Sequence, residues 1–290
     1  MGNVWWLVVR VRTFAFMKLV VRVKLLPTPE QAAALEATLH ACNEAATWVA
    51  DVAFEAKAMK PLDLRKHTYQ QIKTRWQLGA QAAQHTIKKT CDAYTTLRAN
   101  LRNGNYGKPG STRYEKAAGK PIGFRPDAAQ PYDDRMLSWQ HEQRTVSIWT
   151  ASGRMKHVAF TGEAEQLVTV AEHRQGESDL LCRRGQWYLL VTCEIAEAEP
   201  DVHPVGFVGV DLGIVNIATT STGTRHSGRR INRTRERDRK LRAKLQKKNT
   251  KSAKRRAKKH AGKEARRARD INHKISKCIV AEAGGTSHAL

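Results

Sequence analysis

Acidic side chains are scarce in this chain: 27 Asp and Glu stand against 51 Lys and Arg, leaving a formal net charge of +24. An excess of that size calls for a polyanionic partner, and nucleic acid is the most common one. Long apolar runs are also missing. No stretch of 18 or more apolar residues exists, so no membrane-spanning helix is expected. The short run Val4-Trp5-Trp6-Leu7-Val8-Val9 has no basic residue before it and is followed by Arg10 and Arg12, which makes a poor secretory signal. Cysteines are few and scattered: Cys42, Cys91, Cys182, Cys193 and Cys278 are odd in number, and none forms a C-x-x-C pair. Neither a disulfide framework nor a zinc site is visible, and a reducing, intracellular setting is expected.

What remains is an ordinary globular composition. Hydrophobic residues at 41% and charged residues at 27% argue against a wholly disordered chain, and 290 residues suffice for two domains with a sizeable core. Leu7-Val8-Val9-Arg10-Val11-Arg12 nearly repeats Leu19-Val20-Val21-Arg22-Val23-Lys24, and both alternate as strands do. The first copy is either a paired strand or part of a leader, residues 1–16, ahead of a true start at Met17. After Leu26 a helix begins, with Thr28 as cap, Pro29 in the first turn and Gln31 completing a T-x-x-Q capping box. Leu35, Leu39, Cys42, Ala46 and Val49 mark its apolar face. A second helix is predicted over Ala82–Leu101, with a polar helical stretch Tyr69–Trp76 between, giving a small helical domain. Asn103–Gly110 is loop chemistry. Strands follow around Val146–Ile148, His157–Phe160, Leu180–Cys182 and Trp187–Val191, paired as hairpins through Ser152-Gly153 and Arg184-Gly185-Gln186. Short strands so spaced suggest a small barrel or sandwich, joined by the N-terminal strand. Glu194–Pro204 is an acidic, proline-containing linker.

Phe207–Gly213 then forms an apolar strand ending in Asp211 and a glycine. A buried acid must be paired, hydrogen-bonded or bound to a cation, and a fixed carboxylate holding Mg²⁺ against a phosphate suits phosphoryl transfer. A tight-turn cap is an equal reading of the segment alone. The opening also looks like the first phosphate loop of actin-like ATPases. The next segment weighs against that reading: from Arg225 to Lys277 there are 24 Lys and Arg but only four Asp and Glu, with no proline. Its composition favours two long helices, broken near Asn249-Thr250 or near His260-Ala261-Gly262. The cations singled out to contact nucleic acid are Arg229, Arg230, Arg233, Lys240, Lys244, Lys247, Lys248, Lys254, Arg255, Arg256, Lys258, Lys259, Arg266 and Arg267. Lys73, Arg75 and Trp76 of the helical domain are further candidates. Phe124-Arg125-Pro126, Trp139 and Trp149 offer base-stacking surfaces, although core packing is the favoured reading for the tryptophans.

Four stretches in order carry a family resemblance: Lys18–Gln31, Val208–Ile214, Lys240–Lys248 continuing to Lys251–Arg256, and Arg269–Lys277. The chain resembles the OrfB/TnpB family of insertion-sequence proteins, relatives of type V CRISPR effectors. The resemblance implies an α+β multidomain fold. Residues 17–27 and 103–200 would form a wedge-like, oligonucleotide-binding β-barrel, and 28–102 an inserted helical recognition domain. Residues 205–290 would be part of a ribonuclease H-like (RuvC) domain, including basic helices over 229–282. It further implies guide RNA and double-stranded target DNA as partners, with neither a membrane nor a small-molecule substrate. The expected location is the prokaryotic cytoplasm, on the nucleoid when DNA is bound. In the family, three acids with Mg²⁺ hydrolyse DNA, and Asp211 matches the first.

The sequence departs from that pattern near its end. The family's second acid follows a short strand after the basic helices, but here the chain reads Gly285–Leu290. The four-cysteine zinc ribbon and last acid are not seen either. Glu282 is expected on a helix before a Gly284-Gly285 turn and is no substitute. These departures give the expectation of a truncated product, inactive as a nuclease, that holds Mg²⁺ weakly or not at all. Three functions are weighed: a nuclease with its remaining residues supplied elsewhere, an RNA- and DNA-binding module that does not cut, and a generic basic RNA-binding protein.

Overall fold

The computed structural model describes residues 16–196, 206–285 and 288–289. The Leu7–Arg12 strand, the start of the leader and most of the acidic linker lie outside them. Two compact units divide the chain, Met1–Glu197 and Ala198–Leu290. In the first, β1 (Phe16–Leu26) leads into three helices, α1 (Pro29–Glu55), α2 (Pro61–Trp76) and α3 (Ala80–Arg102), and a short α4 (Thr112–Ala118). Then come β2 (Gln130–Tyr132), β3 (Leu137–Gln140), β4 (Thr145–Thr150), β5 (Gly153–Thr161), α5 (Ala164–His173), β6 (Arg174–Arg183) and β7 (Gln186–Ala196). The last strand takes in Glu194–Ala196, which the sequence assigns to the linker.

The strands form one antiparallel sheet in the order β2-β6-β7-β1-β5-β4-β3. Its two edges, β2 and β3, are consecutive in the chain and separated only by residues 133–136. A tether of that length reaches no more than roughly 15 Å, so the sheet must curl until its edges approach. The result is a nearly closed barrel. Alternation explains its interior: Val21, Val23 and Leu25 from β1 and Leu189, Val191 and Cys193 from β7 are buried, while their neighbours face outward. The β6–β7 hairpin turns on Arg184 and Gly185, both with positive φ (59° and 71°). That pair matches the right-handed twist of the strands.

The three helices are inserted between β1 and β2. The capping box forms as read: Gln31 N donates to Thr28 Oγ1 at 3.3 Å, and Thr28 N donates to Gln31 Oε1 at 3.1 Å. Leu35, Leu39, Cys42, Ala46 and Val49 are all buried, and Ala45, Ala50 and Ala53 widen the stripe. Small residues let α3 approach closely enough for Tyr94 Oη to donate to the Ala50 carbonyl at 2.8 Å. The polar stretch Tyr69–Trp76 is the second half of α2. Its first half carries little apolar signal, because Leu64 is its only buried hydrophobic residue and Leu62 faces solvent. Helix α5 was also missed. Only Val170 on it is buried, so it carries little periodic signal.

Polar contacts join the helices to the barrel. Asn43 Nδ2 donates to the Pro126 and Ala128 carbonyls at 2.9 and 2.8 Å, and its Oδ1 accepts from Lys89 Nζ at 2.5 Å. Burial pushes the Lys89 amine down from the ordinary lysine range to about 8. Between that value and the unfolded value near 10.5, the unfolded chain keeps a proton that the folded chain has released. Stability contributed by Lys89 therefore rises with pH in this window. Chemical denaturation of wild type and Lys89→Met should show the wild type gaining about 1 kcal/mol on the variant between about pH 7 and pH 9. A pH-independent difference would mean that Lys89 is not held in this environment.

Candidate nucleic-acid interface

In the second unit, Phe207–Gly213 is not a continuous buried strand. It breaks into β8 (Gly206–Phe207) and β9 (Val210–Asp211), followed by β10 (Asn216–Thr220) and β11 (Arg225–Ser227). Strands β9, β10 and β11 form an antiparallel sheet in the order β11-β10-β9. Backbone packing is tight around the turn before β10. A side chain on Gly213 would meet the Asn216 carbonyl at 2.9 Å, and one on Gly228 would meet the Ile214 and Val215 carbonyls at 2.7 and 2.8 Å. Gly228 N also donates to the Val215 carbonyl at 2.7 Å, and Asn232 Nδ2 to that of Ile214 at 2.8 Å. These contacts fix where the next helix leaves the sheet.

That helix, α6 (Arg229–Lys248), and α7 (Lys251–Gly285) form the basic block. Of the two candidate breaks, Asn249-Thr250 is the real one. Asn249 takes a left-handed conformation (φ 46°) that ends α6, and Thr250 Oγ1 accepts from Ala253 N at 3.1 Å to start α7. Gly262 is carried inside α7, which also runs through Gly284 to Gly285 in place of the turn expected there. A strand β12 (His288–Ala289) pairs parallel to β8.

All four acids of the block are held by its own basic side chains. Glu236 accepts from Arg239 at 2.9 Å, and Asp270 faces Lys274 at 3.1 Å. Between the helices, Asp238 accepts from Arg267 at 2.9 Å and faces His260 at 3.4 Å, while Glu264 faces Arg242 at 3.6 Å. Arg267, read from sequence as a phosphate contact, is thus an interhelical tie. Arg229, Arg230, Arg233, Lys244, Lys247, Lys248, Lys254, Arg255, Arg256, Lys258, Lys259 and Arg266 are all exposed. Lys240 is exposed too and lies 3.7 Å from Glu236. The residues missed from sequence are the seam set Asp238, Arg242, His260 and Glu264. The His260–Glu264 spacing was a legible one-turn signal, but Asp238 is joined to it only by the hairpin.

Asp211 departs from its expected setting. It is exposed on a two-residue strand, opposite Thr219, rather than at the end of a buried one. Among the described residues it belongs to no group of three His, Cys, Asp or Glu side chains close enough to share a cation. One exposed carboxylate does not by itself position a Mg²⁺ ion for hydrolysis. Glu282 lies elsewhere: its Oε1 accepts from the hydroxyls of Thr220, at 3.0 Å, Thr222 and Thr224. Thr220 is the register partner of Val210, so its side chain and that of Asp211 lie on opposite faces of the sheet.

The remaining candidates sit in the first unit. Arg75 lies 4.7 Å over the Trp76 ring and 5.3 Å from that of Trp48, while Lys73 and Arg65 lie 5.7 and 5.1 Å from Tyr69. These aromatic faces are already engaged by cations. Trp76, Trp139 and Trp149 pack half-buried against the core. Phe124-Arg125-Pro126 is tied down rather than free to stack. Phe124 N donates to Thr47 Oγ1 at 3.1 Å, the Lys89 amine sits 5.1 Å over its ring, and the Pro126 carbonyl is bound by Asn43. Among the described residues no helix is long and apolar enough to cross a membrane.

Fold and surface together define a class: a mixed α+β protein with a nearly closed seven-stranded sheet and, in its second unit, a helical hairpin of unbalanced positive charge. Residues 190–286 match the family OrfB_IS605, described as a probable transposase. The match takes in the end of the first unit and nearly all of the second, about a third of the chain. No curated protein matches it. Among solved structures it is similar to one described as "Cryo-EM structure of CRISPR-Cas12f Ternary Complex", at 10% identity and a TM-score of 0.29. That likeness covers 86% of this chain and 60% of the other. A direct check of the sheet-to-helix junction is Gly228→Ala, which forces a methyl group against two carbonyls. Loss of about 1–3 kcal/mol is expected, measured as an earlier unfolding transition. An unchanged transition would show that the junction yields without cost.

Proposed function

We propose that this protein is a transposon-associated nucleic-acid-binding protein of the OrfB/TnpB kind, which grips phosphodiester backbones with the α6–α7 hairpin. The observation that carries the reading is the charge balance of that hairpin. Its four acids are neutralised by contacts within the block, which leaves a dense row of exposed Lys and Arg with no counter-charge among the described groups of that unit. Repulsion of this kind is relieved by a polyanion, whose condensed counterions are released on binding. The partners proposed from the family resemblance are a guide RNA and its target DNA.

The second unit supports the nuclease lineage. Antiparallel β11-β10-β9, then two helices, then a strand parallel to β8 is the order in which a ribonuclease H-like (RuvC) sheet begins, with Asp211 near the end of its first strand. In the first unit, the nearly closed antiparallel barrel with its helical insertion fits a wedge and recognition pair. The proposed activity is binding, since among the described residues Asp211 belongs to no group of three His, Cys, Asp or Glu side chains able to share a cation.

The test is affinity for labelled RNA and for an RNA–DNA duplex across a salt series. If about eight side chains neutralise phosphates, the log–log slope should lie near −7 on a duplex. Changing Arg255, Arg256, Lys258 and Lys259 together to Ala should make that slope shallower by roughly 3–4. An unaltered slope would remove the hairpin from the interface. Incubation with Mg²⁺, guide RNA and target DNA should leave the DNA intact. Cleavage that disappears in Asp211→Ala would instead establish a nuclease.

A further inference from the structure

We propose that Asp238, His260 and Glu264 form a binding site for a divalent transition-metal ion, Zn²⁺ by preference, in the seam of the α6–α7 hairpin. His260 and Glu264 stand one turn apart on α7 and so share a face, and Asp238 of α6 faces them. One donor atom from each lies within 4.8 Å of the others. The three side chains are largely shielded from water, 14%, 18% and 22% exposed for Asp238, His260 and Glu264.

Two features point to a metal ion rather than to a plain ion-pair network. First, each carboxylate is divided between two tasks. Asp238 Oδ2 is held by Arg267 at 2.9 Å and Glu264 Oε2 by Arg242 at 3.6 Å. The inner oxygens face the two different nitrogens of the imidazole, Asp238 Oδ1 the Nε2 at 3.4 Å and Glu264 Oε1 the Nδ1 at 3.0 Å. Outer groups that pin one carboxylate oxygen and aim the other inward are how metal ligands are oriented. Second, His260 Nδ1 and Glu264 Oε1 are sealed from solvent and yet form no hydrogen bond. At 3.0 Å only misalignment defeats a hydrogen bond. Two donor atoms that far apart, each about 2.1 Å from one ion, subtend about 90° at it. The ion then lies off the N–O line, which is the arrangement that a misaligned pair leaves room for, whereas a shared proton must lie on that line. Asp238, which offers a carboxylate oxygen within 4.8 Å of the other donor atoms, would close in as the third protein ligand, with water completing the shell.

The donor set selects the metal. An imidazole nitrogen beside two carboxylate oxygens suits Zn²⁺, Mn²⁺ or Co²⁺ better than Mg²⁺ or Ca²⁺, which favour oxygen throughout. A bound ion would staple α6 to α7 in the middle of a strongly cationic segment, so metal binding and hairpin stability are linked. The site is separate from Asp211 and stands whether or not the hairpin binds nucleic acid.

The test uses the full chain, titrated calorimetrically with ZnCl₂ and spectroscopically with Co²⁺ at about pH 7.5. One equivalent should bind, Co²⁺ should give visible d–d absorption, and Zn²⁺ should raise the unfolding midpoint. His260→Ala and Glu264→Gln should each weaken Zn²⁺ by at least about tenfold, with helix content by circular dichroism unchanged. The chain has 11 histidines and five cysteines, so these variants separate the seam from adventitious ligands. Should His260→Ala unfold, His260→Gln and Glu264→Gln carry the same comparison. No stoichiometric binding by wild type, or equal binding by the folded variants, would overturn the site.

Discussion

Mutual repulsion among the cations of α6 and α7 is the constraint around which the second unit is arranged. Two unit charges about 4 Å apart repel by roughly 1 kcal/mol in water, and by more where solvent is thin. A hairpin folds under that load only if its few acids sit where they count. Glu236 and Asp270 relieve repulsion along single helices, through Arg239 and Lys274. Asp238 and Glu264 act across the seam, through Arg267, His260 and Arg242. Leu245 and Ala253, on either side of the turn between the helices, are both buried. The same surplus that strains the free hairpin would turn to attraction in the polyanion complex proposed for it. Salt would then act in opposite directions on internal stability and on that affinity.

The first unit rests on the opposite balance. Its core is apolar and continuous from the barrel into the helical insertion, and polar contacts at the junction are few but buried. Asn43 is the clearest of them, binding the chain ahead of β2 while its side-chain oxygen receives the Lys89 amine. A lysine held there stands against its own desolvation, so the junction is sensitive to protonation in a way the barrel interior is not.

Several elements were legible because their signals are local. The capping box at Thr28 and Gln31, the apolar stripe of α1 and the β6–β7 turn each depend on residues within about a turn of one another, whereas the break at Asn249 was only one of two local candidates. Where the signal was thin, reading failed. Helix α2 was found only from Tyr69 onward, and α5, with Val170 alone buried, gave no periodicity to read. Asp211 was placed on a buried strand because Phe207, Val208 and Val210 are apolar, yet Phe207 is 73% exposed and the strand breaks in two. Hydrophobic residues state a preference for burial, and only a packed partner fulfils it.

The sequence alone determined the sign and place of the charge, the helical character of the basic block and the alternation of the barrel strands. These follow from composition and from periods of 2 and 3.6 residues, which each residue carries with it. Tertiary structure decided which charges are consumed and which stay free. Asp238 meets Arg267 across 29 residues, and no local rule reaches so far. The turn at Asn249 and Thr250 folds α7 back along α6 and so brings the two side chains within reach.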